Sequence, residues 1–473
     1  MLGKSTATQG LSKQLKAFDL FTIGFGAIIG VGWILVIGDW VNQGGGPLAT
    51  SLAFLLGAAC LYPIARVFGA LSVAMPVAGG AFIYTLRAFG RKAAFATGWL
   101  LTLAYVMMCP WEVIAIGQLA QTLFPALASF PLYTIGGETV YLPTLVLCLL
   151  IAVAIIVINF TGIDKVTKVQ KLLVVALLAI SVLIVAVAAV LGKPGNLLPL
   201  FTETSENPTG SFSIGFLAVL AMAPFFYSGF DTIGQGAEEV AGTANKRRVG
   251  ALSGLSVISA GIFYGLIIPA VCMVIPWQEM LTLNLPAAEV FSIGLGLNVL
   301  KVIVIIGAFC GLLTTLNSFY VAGARLMLSM GREKLIPPAF SQIHPRFHTP
   351  TVANACIGVL AIAGSFLGEG LLLPIVNVCS LGYIFAWFAV GISALRIRRM
   401  PQISFPYPVS HSLNILAIVL AFAMLLLLIV PGSPGALAWP LEIGIVAVWL
   451  VLGALAFFAV NRHQEHLERE DKK

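Results

Sequence analysis

The chain has 473 residues, of which 59% are hydrophobic and only 10% are charged, and it carries a formal net charge of +7. Soluble domains contain about a quarter charged residues, so this composition excludes a water-soluble globular protein. The seven cysteines lie in or beside apolar runs without paired ligand spacing, so neither disulfides nor a metal site are implied. Basic residues gathered on one side of a membrane explain the positive charge better than binding to nucleic acid does.

Apolar runs long enough to cross about 30 Å of hydrocarbon recur along the chain. They predict an all-α polytopic membrane protein with about twelve transmembrane helices. The expected spans are 17–41, 47–74, 93–123, 140–160, 166–191, 214–240, 249–275, 299–328, 350–367, 372–395, 411–430 and 439–460. Basic residues fill every second loop, whereas most charges in the remaining loops are carboxylates. This asymmetry predicts a multi-pass protein of the plasma (inner) membrane with both termini in the cytoplasm.

Two of the expected spans carry helix-breaking residues at their centre. The first contains Gly30 and Gly32, and the sixth contains Pro224 and Gly229. Unwound backbone exposes N–H and C=O groups that lipid cannot satisfy, so a break is tolerated only where it lines a cavity. Close helix packing through small residues is the alternative explanation for the glycines of the first span. Paired breaks in two halves of a chain indicate a transporter's binding site.

The spacing of the two interrupted spans predicts the domain organisation. Five spans lead from the first interrupted helix to the sixth, and this odd number turns the second half upside down relative to the first. Two inverted five-helix repeats are therefore expected, with two further helices after them. The expected segments are a cytoplasmic N-terminus at 1–16, a first repeat at 17–191, an extracellular loop at 192–213, a second repeat at 214–395, two helices at 396–460 and a cytoplasmic tail at 461–473.

Carboxylates inside the spans are candidates for ion coupling, because an ionisable group within a membrane is expensive. Glu112 lies near the middle of the third span, where it would carry a coupled proton or attract a cationic substrate; a carboxyl hydrogen-bonded to a neighbouring helix is the alternative. Asp231 follows the sixth-span break and is the second coupling candidate, or else the cap of the second half-helix. Glu238 and Glu239 are expected to form ion pairs at the cytoplasmic end with the basic residues at 246–248.

Four stretches, in order along the chain, carry recognisable motifs. They are Gly26 to Gly32; the segment 75–84 with Ala88-Phe89-Gly90 and Gly98-Trp99; Gly229-Phe230-Asp231 with Ala237-Glu238-Glu239; and Asn317 to Arg325 followed by 331–337. In these stretches the chain resembles the amino acid–polyamine–organocation family of secondary transporters, over nearly its whole length. The resemblance implies the five-plus-five inverted-repeat fold with helices 1 and 6 discontinuous, and amino acids or related amines as substrates.

The resemblance also implies which residues hold a zwitterionic substrate. Its carboxylate is expected on the amides of Val31 and Gly32, and its ammonium on the carbonyls of Ile28, Phe225 and Ser228. By family position, the ring of Phe225 would cover the substrate, and Trp33 is a second gating candidate; packing is the alternative role for each ring. The expected substrate-binding residues are Ile28, Gly30, Val31, Gly32, Phe225, Ser228 and Gly229.

The coupling ion is left open by the sequence. Some relatives carry a lysine in the fifth span in place of a sodium ion, and Leu177 stands at that position here. Thr314 and Thr315 offer hydroxyls that would join first-helix carbonyls around sodium, or would bond to their own helix. Sodium, a proton and no coupled ion are the three alternatives, and no other cofactor or metal is expected.

The expected function is secondary active transport of a small-molecule amino acid or amine across the lipid bilayer, as symport or antiport. The alternatives are a non-transporting receptor or sensor for the same ligands, and a transporter of polyamines or small amines that lack a carboxylate. The five histidines lie in loops or the tail, and no span contains an HExxH or GxSxG motif, so no enzyme is expected.

Overall fold

The computed structural model describes residues 11, 13–30, 32–242, 245–368, 372–433 and 436–470. The helices are α1 (Ala17–Ile28), α2 (Gly32–Leu35), α3 (Ile37–Gly44), α4 (Pro47–Ala74), α5 (Ala81–Phe89), α6 (Arg91–Leu123), α7 (Leu142–Phe160), α8 (Ile163–Leu191), α9 (Phe212–Phe226), α10 (Thr232–Gln235), α11 (Lys246–Cys272), α12 (Trp277–Met280), α13 (Pro286–Leu295), α14 (Asn298–Arg332), α15 (Thr351–Gly364), α16 (Leu372–Ile397), α17 (His411–Ile429) and α18 (Leu441–Glu470). Two short strands, β1 (Pro131–Ile135) and β2 (Glu138–Tyr141), form an antiparallel hairpin between α6 and α7.

The all-α membrane architecture expected from the sequence is confirmed. In the described parts of the chain, ten segments are long and apolar enough to cross a bilayer. Each of the expected spans contains at least one α-helix, and the sixth and ninth coincide with the shorter apolar helices α9 and α15. The structure adds elements that hydropathy did not predict, namely α5, the hairpin, α12 and α13, all of which lie between spans. The division into two inverted repeats stays a prediction.

The long helices pack in two groups. The first packing group contains α1, α4, α9, α10 and α11, and the second contains α6, α14, α15 and α16. Small residues let α4 and α11 approach closely: a Cβ added to Gly69 would lie 2.0 Å from the carbonyl oxygen of Gly250. The two groups meet where α1 packs against α14, and α8 lies against both of these helices.

The segment before α1 is tied to the segment after α10. The Leu15 amide donates to the carbonyl oxygen of Glu239 at 2.8 Å, and the Ala241 amide donates to the carbonyl oxygen of Leu15 at 3.0 Å. Leu15 and Val240 thereby form an isolated parallel bridge. Backbone hydrogen bonds therefore join the residues just before α1 to the residues just after α10.

Candidate functional site

The first interrupted span breaks where its glycines lie. The helix α1 ends at Ile28, and the Gly30 amide turns back to donate to the Ile28 carbonyl at 3.2 Å instead of reaching Gly26. The freed Gly26 carbonyl accepts a hydrogen bond from Thr315 Oγ1 of α14 at 3.0 Å. Helical structure resumes at Gly32. Val31, expected to bind the substrate carboxylate, lies outside the described residues.

The sixth span breaks between α9 and α10. Gly229 has a φ of +122°, a backbone conformation that side chains disfavour, and its amide donates to Asp231 Oδ1 at 3.2 Å. A Cβ on Gly229 would lie 2.6 Å from the Cβ of Ala27, so the two breaks are in contact. The Tyr264 hydroxyl of α11 lies 3.3 Å from the carbonyl oxygens of both Ile28 and Phe226, one from each interrupted helix. The breaks predicted separately from the sequence therefore form one site.

A small cavity of about 30 Å³ lies between the breaks. It brings together five of the expected binding residues, Ile28, Gly30, Gly32, Phe225 and Ser228, with Glu112 and Thr315. Its other lining residues, which the sequence did not single out, are Ala27, Met108, Trp111, Phe226, Tyr264 and Phe319. The cavity thus combines exposed backbone, aromatic rings and one carboxyl group.

Two carbonyls expected to hold the ammonium already have partners in this conformation. The Ile28 carbonyl oxygen accepts from the Gly30 amide and lies within hydrogen-bond reach of Tyr264 Oη. The Phe225 carbonyl oxygen accepts from the Ser228 amide at 3.0 Å and from Ser228 Oγ at 2.7 Å. Because a carbonyl oxygen has two lone pairs, an ammonium group would have to displace a hydroxyl at either position.

Glu112 faces the first break. Its side chain is 1% exposed, and its Oε1 atom lies 3.6 Å from the position that a Cβ on Gly30 would take. Its Oε2 atom is buried and has no hydrogen-bond partner within the described residues. A buried carboxylate without a partner is costly, so this group needs a proton or a positive ligand group.

A larger cavity of about 440 Å³ lies on the predicted extracellular side, next to Asp39. Trp111, Phe225 and Phe226 line both this outer cavity and the small one. The Phe225 ring meets Trp111 at 6.4 Å and Phe226 at 5.2 Å, each nearly edge to face. The position of Phe225 between the two cavities fits the gating role expected for it.

Trp33 occupies a different place from the one expected for a gate. Its ring is fully buried and packs edge-on against Phe263 of α11 at 5.6 Å. The rotation of the short helix α2 turns this ring towards α11, whereas Gly32 lines both cavities. In this conformation Trp33 therefore has the packing role given as its alternative, and its gating role stays a prediction.

The predicted cytoplasmic side of the site is closed by polar contacts. Asp231 is 1% exposed and accepts hydrogen bonds from the Tyr105 hydroxyl and the Gly229 amide. The Asp231 side chain makes no capping hydrogen bond to α10, so the alternative prediction that it caps this helix was wrong. Asp231 instead links the break in the sixth span to α6 of the second packing group.

The ion pairs of Glu238 and Glu239 differ from the expected ones. Glu239 accepts two hydrogen bonds from Arg325, at 2.9 and 3.1 Å, and Glu238 accepts two from Arg332, at 2.6 and 3.1 Å. Both arginines belong to α14, whereas the expected basic partners at 246–248 begin α11. The expected pairing was wrong because the fold brings together residues 86 and 94 positions apart.

The two threonines of the expected sodium site bond mainly to backbone. Thr314 Oγ1 donates to the Gly311 carbonyl of its own helix at 2.8 Å, while Thr315 Oγ1 lies 3.0 Å from the carbonyl oxygens of both Gly311 and Gly26. Gln170 of α8, which no sequence motif singles out, lies beside them with its side chain fully buried. It stands between Lys168 and Lys171 at the polar start of the fifth span, so the sequence gives no signal that its side chain is buried.

Known proteins resemble this chain over its full length. A sequence model of the amino acid permease family matches residues 15–458. The branched-chain amino acid permease BcaP of Bacillus subtilis is 27% identical, and the alignment covers 99% of this chain and 97% of that protein. The methylthioribose transporter of the same organism is 26% identical over the same shares. Cationic amino acid transporter 6, chloroplastic, of Arabidopsis thaliana is 25% identical, with 95% of this chain and 76% of that protein aligned.

Proposed function

Because this chain belongs to the amino acid permease family and is an amino acid transporter rather than an enzyme, we propose that it works by alternating access around the cavity between its two helix breaks. The main support for this proposal is that the two breaks are in contact. Gly229 packs against Ala27, and the Tyr264 hydroxyl lies within hydrogen-bond distance of one carbonyl from each interrupted helix. Interrupted helices that meet within the membrane are the arrangement in which transporters bind their substrates.

In this proposal the conformation described here is closed to the cytoplasm, and the Phe225 ring separates the small cavity from the outer one. The outer cavity of about 440 Å³ reaches the aromatic rings above the small cavity. On the opposite side, Asp231 bonds to Tyr105, and Glu239 pairs with Arg325. Opening to the cytoplasm requires that these contacts between the two packing groups separate.

In this proposal the substrate's α-carboxylate lies at the backbone amides of Val31 and Gly32, and its ammonium lies at the carbonyls of Ile28, Phe225 and Ser228. The support is that these three residues and Gly32 line the same small cavity. Since hydroxyls of Tyr264 and Ser228 reach the Ile28 and Phe225 carbonyls, substrate binding turns these hydroxyls away. The cavity opens by this local rearrangement to admit an amino acid.

In this proposal Glu112 determines how much positive charge must enter the small cavity with the substrate. Among the described residues that line the small cavity, Glu112 alone carries an ionisable acidic or basic side chain other than the Tyr264 phenol. One positive charge then satisfies it: a coupled proton when the substrate is neutral, or the side chain of a cationic substrate. The names of the relatives include both substrate types. Neutral amino acids are therefore expected to enter with a proton and cationic ones without it.

Uptake into proteoliposomes tests the proposal. The panel contains neutral amino acids, cationic amino acids and amines without a carboxylate, with and without a proton gradient. Gly30→Leu is expected to abolish uptake, because a Cβ at Gly30 already lies 3.2 Å from Thr315 Oγ1. Gly444→Leu is the matched control, since a Cβ there meets nothing within 4 Å. Full uptake by Gly30→Leu would refute the pocket, and binding without any uptake would favour a receptor.

The proposed location is the plasma (inner) membrane with both termini in the cytoplasm. The bacterial relatives and the alternation of basic and acidic loops support it. Reporter fusions at the two ends of the chain, one active only in the cytoplasm and one only outside it, test the orientation. Activity of the external reporter at either end would overturn it.

A further inference from the structure

Two helices, α1 and α14, present three oxygen atoms to the side-chain amide of Gln170 in α8. Its Nε2 atom lies 3.1 Å from the carbonyl oxygen of Thr22 in α1, 3.2 Å from that of Thr314 in α14 and 2.9 Å from Ser318 Oγ. We call these three oxygens the oxygen cluster. The close approach depends on Gly26, where an added Cβ would lie 2.5 Å from Gln170 Nε2. The cluster lies at the junction of the two packing groups.

Neighbouring amides fix which end of the Gln170 side chain faces the cluster. Gln170 Oε1 accepts a hydrogen bond from Asn317 Nδ2 at 2.9 Å, and Asn317 Oδ1 accepts one from Asn159 Nδ2 at 3.0 Å. Rotating the Gln170 amide by half a turn would place two NH₂ groups together and turn its oxygen towards carbonyl oxygens. The NH₂ group therefore points into the cluster.

This arrangement disagrees with a sodium ion at the expected site. Sodium in a transporter of this kind is held by unwound carbonyls and hydroxyls that converge on it. Here the N–H groups of Gln170 point at the oxygens of Thr22 and Ser318, and Thr315 Oγ1 lies within bonding distance of the freed carbonyl of Gly26. An ion in the cluster would meet the positive ends of the amide dipoles. The oxygen cluster therefore does not fit sodium, and the Thr314 hydroxyl expected to bind the ion donates instead to the Gly311 carbonyl of its own helix.

We propose that the Gln170 amide takes the place of a coupling cation, holding α1 against α8 and α14 by fixed N–H donors, so that transport proceeds without sodium. The inference rests on the proposed alternating access, in which α1 moves relative to α14. It makes Gln170 a positioning residue: it orients the helix that carries the first break without touching the substrate.

Wild-type protein gives the first test. Uptake into proteoliposomes is measured with sodium and with choline at equal ionic strength, and thermal unfolding in detergent is followed as sodium is added. Uptake is expected to be the same in both salts, and sodium is expected to leave the Tm unchanged relative to choline. A sodium requirement, or a specific rise in Tm, would overturn the proposal without touching the proposed transport function. Absence of uptake in every salt would instead count against the transport function.

Gln170→Glu converts the fixed donor into a second acceptor. The N–H donors that pointed into the oxygen cluster are then replaced by a carboxylate oxygen, so at pH 8 the variant is expected to take up substrate roughly tenfold faster with sodium than with choline, a factor equivalent to about 1.4 kcal/mol. Sodium is also expected to raise its Tm, because an ion that binds only the folded state stabilises it. The Tm measurement remains decisive if the variant transports poorly.

Asn414→Asp is the matched control. Asn414 is 1% exposed and donates to the Gly391 carbonyl at 3.3 Å in a different part of the bundle, so it is also a buried amide. The same change of amide to acid there is expected to create no sodium response. Two results would contradict the proposal. One is a sodium response in Asn414→Asp equal to that in Gln170→Glu, and the other is no sodium response in Gln170→Glu. Either would show that the oxygen cluster is not a place where a cation can bind.

Discussion

Arg325 and Glu239 form a doubly hydrogen-bonded ion pair in which both side chains are 1% exposed. Arg325 belongs to α14 in the second packing group, and Glu239 follows α10 in the first. The pair therefore spans the boundary that the proposed alternating access would have to open. A buried pair of this kind is expensive to break by removing one partner, because the other charge is left without compensation.

Glu239→Gln is expected to lower the free energy of unfolding by about 3 kcal/mol or more, because it leaves the Arg325 guanidinium buried and unpaired. Glu238→Gln is the control: its pair with Arg332 is more exposed, at 14% and 26%, and its loss is expected to cost about 1 kcal/mol or less. Thermal unfolding in detergent compares the two. Equal losses of stability would contradict the importance assigned to the buried pair.

Glu112→Gln is expected to abolish uptake of cationic amino acids and to make uptake of neutral ones independent of external pH. The amide is neutral at every pH, so it neither carries a proton nor attracts a positive side chain. Initial rates between pH 5 and pH 8 measure both effects. Glu138→Gln, on the exposed hairpin, should retain the wild-type profile. An unchanged profile in Glu112→Gln would remove this carboxyl from the coupling mechanism.

Gly229→Ala is expected to abolish transport, since the new Cβ would combine an unfavourable φ of +122° with a contact of 2.6 Å to Ala27. The matched control is Gly90→Ala, where φ is +80° and nothing lies within 4 Å of the new Cβ. The control should lose only the energy of backbone strain, about 1–3 kcal/mol. Substrate binding by tryptophan fluorescence and uptake by tracer separate the two variants. Wild-type binding by Gly229→Ala would contradict the contact between the breaks.

Phe225→Ala is expected to join the small cavity to the outer one, because the ring lines both. The substrate would then lose its aromatic cover, so KM is expected to rise by roughly tenfold or more, corresponding to about 1.4 kcal/mol or more. Phe458→Ala is the control, on a face of α18 where the ring is 62% exposed. Uptake kinetics for one neutral substrate measure the KM of both variants. An unchanged KM in Phe225→Ala would exclude a gating role.

The sequence predicts the transmembrane spans and the two breaks well because both depend on local signals. Apolar length identifies a span, and the glycines at 24–32 and around Gly229 weaken a helix wherever the chain runs. Partners across the fold carry no such signal. Arg325 could not be assigned to Glu239, nor Gln170 to Thr22, because packing of distant helices decides these contacts.

The orientation of single side chains could not be predicted from the sequence either. Trp33 and Phe225 are both aromatic residues at breaks, yet one packs against α11 and the other separates two cavities. The difference arises from the rotation of each half-helix, which no periodic pattern of so few residues can establish. Glu112, in contrast, could be identified in advance because a carboxyl within a membrane is rare.

The backbone bridge between Leu15 and Val240 has a mechanical consequence. It couples the entry to the first interrupted helix with the exit from the second, so neither end swings alone when the inner side opens. The first and sixth spans are thereby fastened together by main-chain hydrogen bonds, which a side-chain substitution does not remove.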